Sequence, residues 1–184
     1  MTFISQIELK DIHEVLKYES WINTMQEELD QIERNQVWTL ISRSVNQNIV
    51  GTRWVFKNKL NADGKIVRNK GRLVAKRYIQ EFSVDFEESY APVARLEAVR
   101  LLLAYATSRK IKLYQIDVKS VFLNGYVNEE VYVDQPPSFE DTSYPNHVFK
   151  FKKVLYDLKQ VPRAWYDKLN IFLLNKGYVR GKVD

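Results

Sequence analysis

Cysteine is absent from the 184-residue chain, which excludes disulfide scaffolds, thiol nucleophiles and cysteine-ligated zinc, and suits a reducing compartment. Histidine is nearly as scarce. His13 and His147 are the only two, too few for a His-rich metal site or extended histidine catalysis. Six glycines and five prolines rule out collagen-like and linker-rich classes. No apolar run reaches the length of a membrane span, and the opening residues lack the basic and apolar segments of a secretory signal. The chain therefore reads as intracellular, not secreted, with no membrane partner.

What is present is a core-forming composition of one domain's size, 45% hydrophobic and 13% aromatic, with no internal repeat or low-complexity segment. The net charge of +5 is unevenly placed: residues 1–50 hold four Lys/Arg against eight Asp/Glu, and residues 51–80 hold nine against one. Such a basic block points to a polyanionic partner, nucleic acid or nucleotide phosphate, or else to a well-solvated basic hairpin.

Periodicity supplies the elements. Residues 1–19 read as a lead-in. Ser20 is expected to cap a helix with an apolar stripe of Ile22, Met25, Leu29 and Ile32, leaving Glu27, Glu28, Asp30 and Glu33 off it. Residues 49–80 predict a long β-hairpin, with one strand over 49–57 and a turn at Asn61-Ala62-Asp63-Gly64. On its returning strand Arg68, Lys70 and Arg72 recur at period two and share a face. They repel unless an anion neutralises them; the alternative is an edge strand protected by its charges. A second helix is predicted over 95–110, burying Leu96, Val99, Leu103 and Ala106. A strand is predicted over 111–118, interrupted by Asp117, a carboxylate that suits either a metal or a local hydrogen bond. Short strands at 131–133 and 148–151 flank a surface loop. Pro162 opens a final helix with Trp165, Leu169, Phe172 and Leu173 on one face and Gly177 at its end. This is an α+β chain with mainly antiparallel strands and packed helices.

A set of short motifs runs through the chain in order. They are Trp21 with Met25-Gln26-Glu27-Glu28-Leu29, Val50-Gly51-Thr52-Arg53-Trp54-Val55-Phe56-Lys57, Tyr90-Ala91-Pro92-Val93-Ala94-Arg95-Leu96-Glu97-Ala98, and Gln115-Ile116-Asp117-Val118-Lys119-Ser120 with Phe122-Leu123-Asn124-Gly125. Gln135-Pro136-Pro137 and Leu158-Lys159-Gln160 with Pro162-Arg163-Ala164-Trp165 complete it. As an ordered set they resemble the reverse transcriptase domain of copia-type long-terminal-repeat retrotransposon Pol polyproteins, of the plant kind.

The resemblance implies a right-hand polymerase fold to which residues 20–184 contribute the fingers and the first part of the palm. It also implies RNA-directed DNA polymerase chemistry, in which a primer 3′-hydroxyl attacks a deoxynucleotide triphosphate on an RNA or DNA template. The ion would be Mg2+, held by converging carboxylates. By the same match Asp117 is a catalytic and metal-binding carboxylate, and the backbone at Val118 and Lys119 approaches the triphosphate. Phe122 is a steric gate against the ribose 2′-hydroxyl, or else ordinary core packing. Gln160 lies near the nucleotide sugar and template, and Lys70 and Arg72 grip the triphosphate, Arg72 the more strongly placed. The implied partners are template–primer, deoxynucleotide triphosphates and the remainder of Pol.

The sequence also departs from the family pattern. It contains no Tyr-x-Asp-Asp hairpin to supply further metal carboxylates, so the isolated chain is expected not to polymerise DNA unless the rest of the palm is supplied. Its final helix is then short of sheet partners. The alternative function is a non-catalytic retroelement remnant that binds nucleic acid or nucleotide weakly through the basic hairpin. Asp157 stands where Gly is usual, predicting a left-handed backbone there. Val161 replaces a small residue, and Lys76-Arg77 replace Gln-Gly.

Overall fold

A computed structural model describes residues 11–45, 47–87, 95–118 and 120–180. In chain order the elements are α1 (Ile12–Val15), α2 (Glu19–Arg34), β1 (Trp38–Ser42), β2 (Ile49–Val50), β3 (Thr52–Leu60), β4 (Ile66–Ala75), α3 (Leu96–Arg109), β5 (Tyr132–Val133), β6 (His147–Phe151) and α4 (Val161–Asn175). The mixture of helices and mostly antiparallel pairings matches the expected α+β class. Among the described residues no helix is long and apolar enough to cross a membrane.

Burial explains α2. Trp21, Met25 and Ile32 are fully buried, and Val15 of α1 joins them in the core. With Glu28 between Met25 and Ile32, the inward stripe runs at spacings of four, three and four. It is turned by about one residue from the predicted stripe; Ile22 and Leu29 are only half-buried. Ser20 is not the cap. The turn after α1, in which the Tyr18 N–H donates to Val15 O at 3.0 Å, leads straight into the helix and makes Tyr18 the boundary. Ser20 lies inside, its carbonyl accepting the Thr24 hydroxyl at 2.9 Å.

The hairpin forms as expected but starts later. Gly51 separates β2, which runs parallel to β5, from β3, which pairs antiparallel with β4. The Gly51 carbonyl accepts the Lys76 N–H at 2.8 Å, taking the chain from one sheet into the other. At the hairpin tip the Asn61 side chain accepts the Asp63 and Lys65 N–H groups, and Gly64 takes a φ of +77°, which favours glycine. The other sheet has the strand order β1-β6-β5-β2. Its strand β1 has no counterpart in the sequence-based reading, although Trp38-Thr39-Leu40-Ile41 has strand composition. Trp38 stacks on Phe149 of β6 with centroids 4.2 Å apart. The core lies where α2, the inner hairpin face and the 154–161 segment meet, with Trp21 edge-on to Phe56 at 5.4 Å.

Two expectations fail on burial or pairing. In α3 only Ala106 is buried; Leu96, Val99 and Leu103 are 57%, 40% and 52% exposed. Helical periodicity identifies an apolar side, but burial requires a neighbour, and no described element packs closely on α3. Residues 111–118 form no strand and are exposed, because every described strand finds its partner elsewhere. The final helix forms with Pro162 in its first turn, while Leu169 and Phe172 of its apolar face are exposed. It ends in a Schellman arrangement: Gly177 at φ +84°, its N–H on Leu174 O, and the Tyr178 N–H on Leu173 O. Asp157 adopts the expected left-handed backbone, φ +72°, with Arg53 and Arg77 at 3.7 and 4.0 Å from its carboxylate.

One glycine is required by contact rather than backbone angle. A Cβ on Gly125 would lie 2.8 Å from Ala164 Cβ and 2.9 Å from Ala164 C, so α4 can dock there only on a bare backbone. Gly125→Ala is therefore expected to destabilise the fold by about 1–3 kcal/mol in urea denaturation, through displacement of α4.

Candidate functional site

The hairpin has two chemically distinct faces. Thr52, Trp54, Phe56 and Asn58 of β3, with Asn69, Gly71, Leu73 and Ala75 of β4, face inward and are buried. The opposite face carries Arg53, Lys57 and Lys59 from β3 and Arg68, Lys70 and Arg72 from β4. Its register sets Lys57 opposite Lys70 and Lys59 opposite Arg68. Directly opposed like charges destabilise a strand pair, so this face is a standing demand for anions. Partial burial, with Arg72 and Lys59 nearby, lowers the Lys70 ammonium below the ordinary lysine value.

Two carboxylates of α2 answer part of that demand. Glu27 pairs with Arg68 at 3.2 Å on the exposed surface, an interaction of small energetic weight. Glu28 is different. It accepts the Leu73 N–H, while its Oε1 is buried with no hydrogen-bond partner among the described residues. Burial raises its carboxyl above the ordinary value, against the opposing pull of Arg72 and Lys70.

Tyr156 closes the cluster. Its carbonyl accepts the Ala75 N–H at 3.0 Å, which ties the segment before α4 to the end of β4. The Arg72 guanidinium lies over the Tyr156 ring, 5.0 Å from its centroid, and Phe122 packs edge-on against the same ring at 6.1 Å. Burial and the nearby Glu28 raise the Tyr156 phenol, while a hydrogen bond with Ser120 works the other way. Arg72 and Phe122, far apart in sequence, thus meet on the Tyr156 ring, and Lys70 shares the strand face of Arg72. Neither Tyr156 nor Glu28 was a sequence-based site candidate. The signals were present, in the inward 21–25–28–32 spacing of α2 and in a tyrosine beside the Leu158-Lys159-Gln160 motif.

The other candidates lie elsewhere. Gln160 is buried and its side-chain amide is used inside the chain: Oε1 accepts Gln80 Nε2 at 3.1 Å, and Nε2 donates to Asp85 O at 3.1 Å. Gln80 accepts the Lys159 N–H, and the Asp85 carboxylate accepts Asn48 Nδ2 and the Glu81 N–H. Gln160 therefore clasps the 80–86 loop in this structure. Asp117 and Val118 are exposed, and Asp117 makes no hydrogen bond or ion pair among the described residues. Lys119 lies outside the described residues. No group of three or more His, Asp or Glu among the described residues could hold a metal ion, so Asp117 alone does not constitute a metal site.

Glu28→Gln keeps an acceptor for Leu73 and removes the charge. A carboxyl raised by folding stabilises the fold below its unfolded value and loses that contribution as pH rises through its folded value. The melting temperature of Glu28→Gln should therefore gain on the wild type between about pH 4 and pH 7, measured by differential scanning calorimetry. For the clasp, Gln80→Leu and Gln160→Leu should each cost about 1–3 kcal/mol in denaturant unfolding by orphaning buried partners. The double variant should cost less than their sum by about 0.5–3 kcal/mol.

Comparison with known proteins bears on what such a site serves. Residues 35–184 match the family described as Reverse transcriptase (RNA-dependent DNA polymerase), whose members generally use divalent metals. The chain is 41% identical over 172 residues to the Retrovirus-related Pol polyprotein from transposon RE1 of Arabidopsis thaliana, covering 93% of this chain and 12% of that protein. It is 37% identical over 159 residues to the Pol polyprotein from transposon TNT 1-94 of Nicotiana tabacum, covering 86% of this chain and 12% of that protein. The uncharacterized mitochondrial protein AtMg00820 of Arabidopsis thaliana is 45% identical over 104 residues, 56% of this chain and 61% of that protein. No solved structure matches.

Proposed function

The chain belongs to the reverse transcriptase (RNA-dependent DNA polymerase) family, as a copia-type domain fragment, and on that premise we propose that it contributes the nucleotide-gripping part of an RNA-directed DNA polymerase. The observation that carries this reading is the meeting of Arg72 and Phe122 on the Tyr156 ring, with Lys70 two residues away on the same strand face. A triphosphate laid along β4 would neutralise cations that otherwise repel one another. Arg72 is suited to bidentate phosphate contact and is oriented by the ring beneath it. Phe122, half-buried against the core, would present a fixed ring toward the sugar and disfavour a 2′-hydroxyl.

In this reading the 3′-hydroxyl of a primer paired to an RNA or DNA template attacks the α-phosphorus of a deoxynucleotide triphosphate, and pyrophosphate leaves. Val118 and Lys119 would lie along the triphosphate. Asp117 would supply one carboxylate toward Mg2+, with the other ligands coming from elsewhere in the assembled Pol polyprotein. This chain's own part is binding and orientation. Gln160 would support the site by holding the 80–86 loop, consistent with both ends of its amide being engaged there.

The six-cation hairpin face supports a second reading, nucleic-acid or nucleotide binding without turnover. Fluorescence anisotropy with a labelled primer–template and primer extension separate the two. Arg72→Ala should weaken nucleotide binding by about 10-fold or more, the scale of a lost charge-assisted contact. Asp117→Asn should leave binding intact and abolish extension by the assembled polymerase. Salt-sensitive binding with no extension by wild-type polymerase would favour the second reading.

A further inference from the structure

Glu28 lies at the edge of β4, and a role for it there rests on the reading of β4 as a phosphate-binding strand. Glu28 occupies an inward stripe whose other members, Trp21, Met25 and Ile32, are fully buried and two of which are simple apolar chains. A carboxylate in such a position is costly unless its charge is compensated. The charges acting on it are cationic. Lys70 and Arg72 of β4 favour its ionised form without forming a salt bridge with it among the described residues, and its own charge acts on the Tyr156 phenol of the segment before α4. On its own helix the neighbouring Glu27 is drawn off to Arg68. One carboxylate oxygen takes the Leu73 N–H on the edge of β4 not paired with β3, and Oε1 is buried without a hydrogen-bond partner among the described residues.

We propose that Glu28 is a positioning residue of the β4 phosphate site, an internal anion at the edge of β4 that compensates the charges of Lys70 and Arg72 without ligand and opposes the phosphate that replaces it. The logic is electrostatic. With no ligand bound, the Glu28 charge offsets repulsion among Lys59, Arg68, Lys70 and Arg72, whose spacing a strand pair cannot relax. A bound polyphosphate serves the same cations, and Glu28 then faces an anion across a partly buried site, where charges are weakly screened. Glu28 thus lowers the affinity of the empty site for anions while easing the repulsion among its cations. Protonation of Glu28 relieves the opposition, so binding takes up a proton.

Isothermal titration calorimetry of the full 184-residue chain tests this, with inorganic tripolyphosphate as the probe and wild type, Glu28→Gln, Glu28→Asp and Arg72→Ala compared in the same buffers. The probe's own titration is common to all four proteins and cancels in the comparison. Near neutral pH, Glu28→Gln should bind roughly 5- to 10-fold tighter than wild type, and the gap should close in acid. Glu28→Asp, which keeps the charge, should stay near wild type. A second readout needs no ligand: removing the Glu28 charge should lower the Tyr156 phenol pKa, followed by NMR of ring-labelled tyrosine. Wild-type affinity in Arg72→Ala would remove the β4 phosphate site itself and this inference with it. Weakened binding in Arg72→Ala with no tightening in Glu28→Gln would overturn the role of Glu28 alone. An equal change in Glu28→Gln and Glu28→Asp would make the effect one of shape rather than charge, and would likewise overturn it.

Discussion

The contact between α2 and β4 is the constraint from which the rest of the site follows. Gly71 has no side chain, and a Cβ there would stand 3.5 Å from Thr24 Cγ2 and 3.8 Å from Met25 Cγ, so the helix lies directly on the strand. That approach buries Trp21 and Met25 against Phe56 and Leu73, and full burial of side chains of this size stabilises by about 1.5–3 kcal/mol each. The same rotation of α2 that turns Trp21 and Met25 inward carries Glu28 to the edge of β4. Packing of the apolar residues therefore fixes where the buried charge goes.

From that contact the electrostatics of the hairpin can be followed outward. Strand alternation separates an apolar inner face from a cationic outer face, and the antiparallel register opposes lysine to lysine and lysine to arginine. Without anions such a face would cost stability. Glu27 and Glu28 offset part of the cost from the protein's own charge, and a phosphate-bearing ligand would offset more. Tyr156 gives the arrangement its orientation. Held to β4 through its carbonyl, it offers one side of its ring to Arg72 and receives the edge of Phe122. The Gln80–Gln160–Asp85 network then fixes the loop that follows the hairpin to the segment carrying Tyr156. In a low-dielectric interior such a network is rigid only because its side-chain partners are satisfied.

How much of this was legible depended on whether the determining interaction was local. The hairpin was readable because β-branched and aromatic residues flank an Asn-Ala-Asp-Gly turn, and the period-two cations declared their common face. The glycine cap of α4 was also readable, being a property of one or two residues, whereas the left-handed backbone at Asp157 was legible only through the family resemblance, which has glycine there. Partners decided the rest. Residues 111–118 have strand composition, yet a strand needs another backbone to accept its hydrogen bonds, and composition does not reveal whether one is nearby. The apolar side of α3 is visible in its periodicity, but its exposure is not. Glu28 falls off the stripe when polarity alone is equated with an outward position. Trp21, omitted from that stripe, would have shifted the inward face by one position and placed Glu28 on it. The motif alone points Gln160 toward a ligand, and its engagement with Gln80 and Asp85 depends on contacts across some 80 sequence positions.

The central claim is that the outer face of β4, with Tyr156 beneath Arg72, is where phosphate meets this chain. Titration of 15N-labelled protein with a deoxynucleotide triphosphate, followed by amide chemical shifts, tests it most directly. The account predicts saturable shifts concentrated from Lys70 to Ala75, around Ser120 and Phe122, and at Tyr156. Shifts centred instead on the cavity beside α4, lined by Tyr126, Arg163, Lys168 and Phe172, would contradict it, as would a spectrum that does not change.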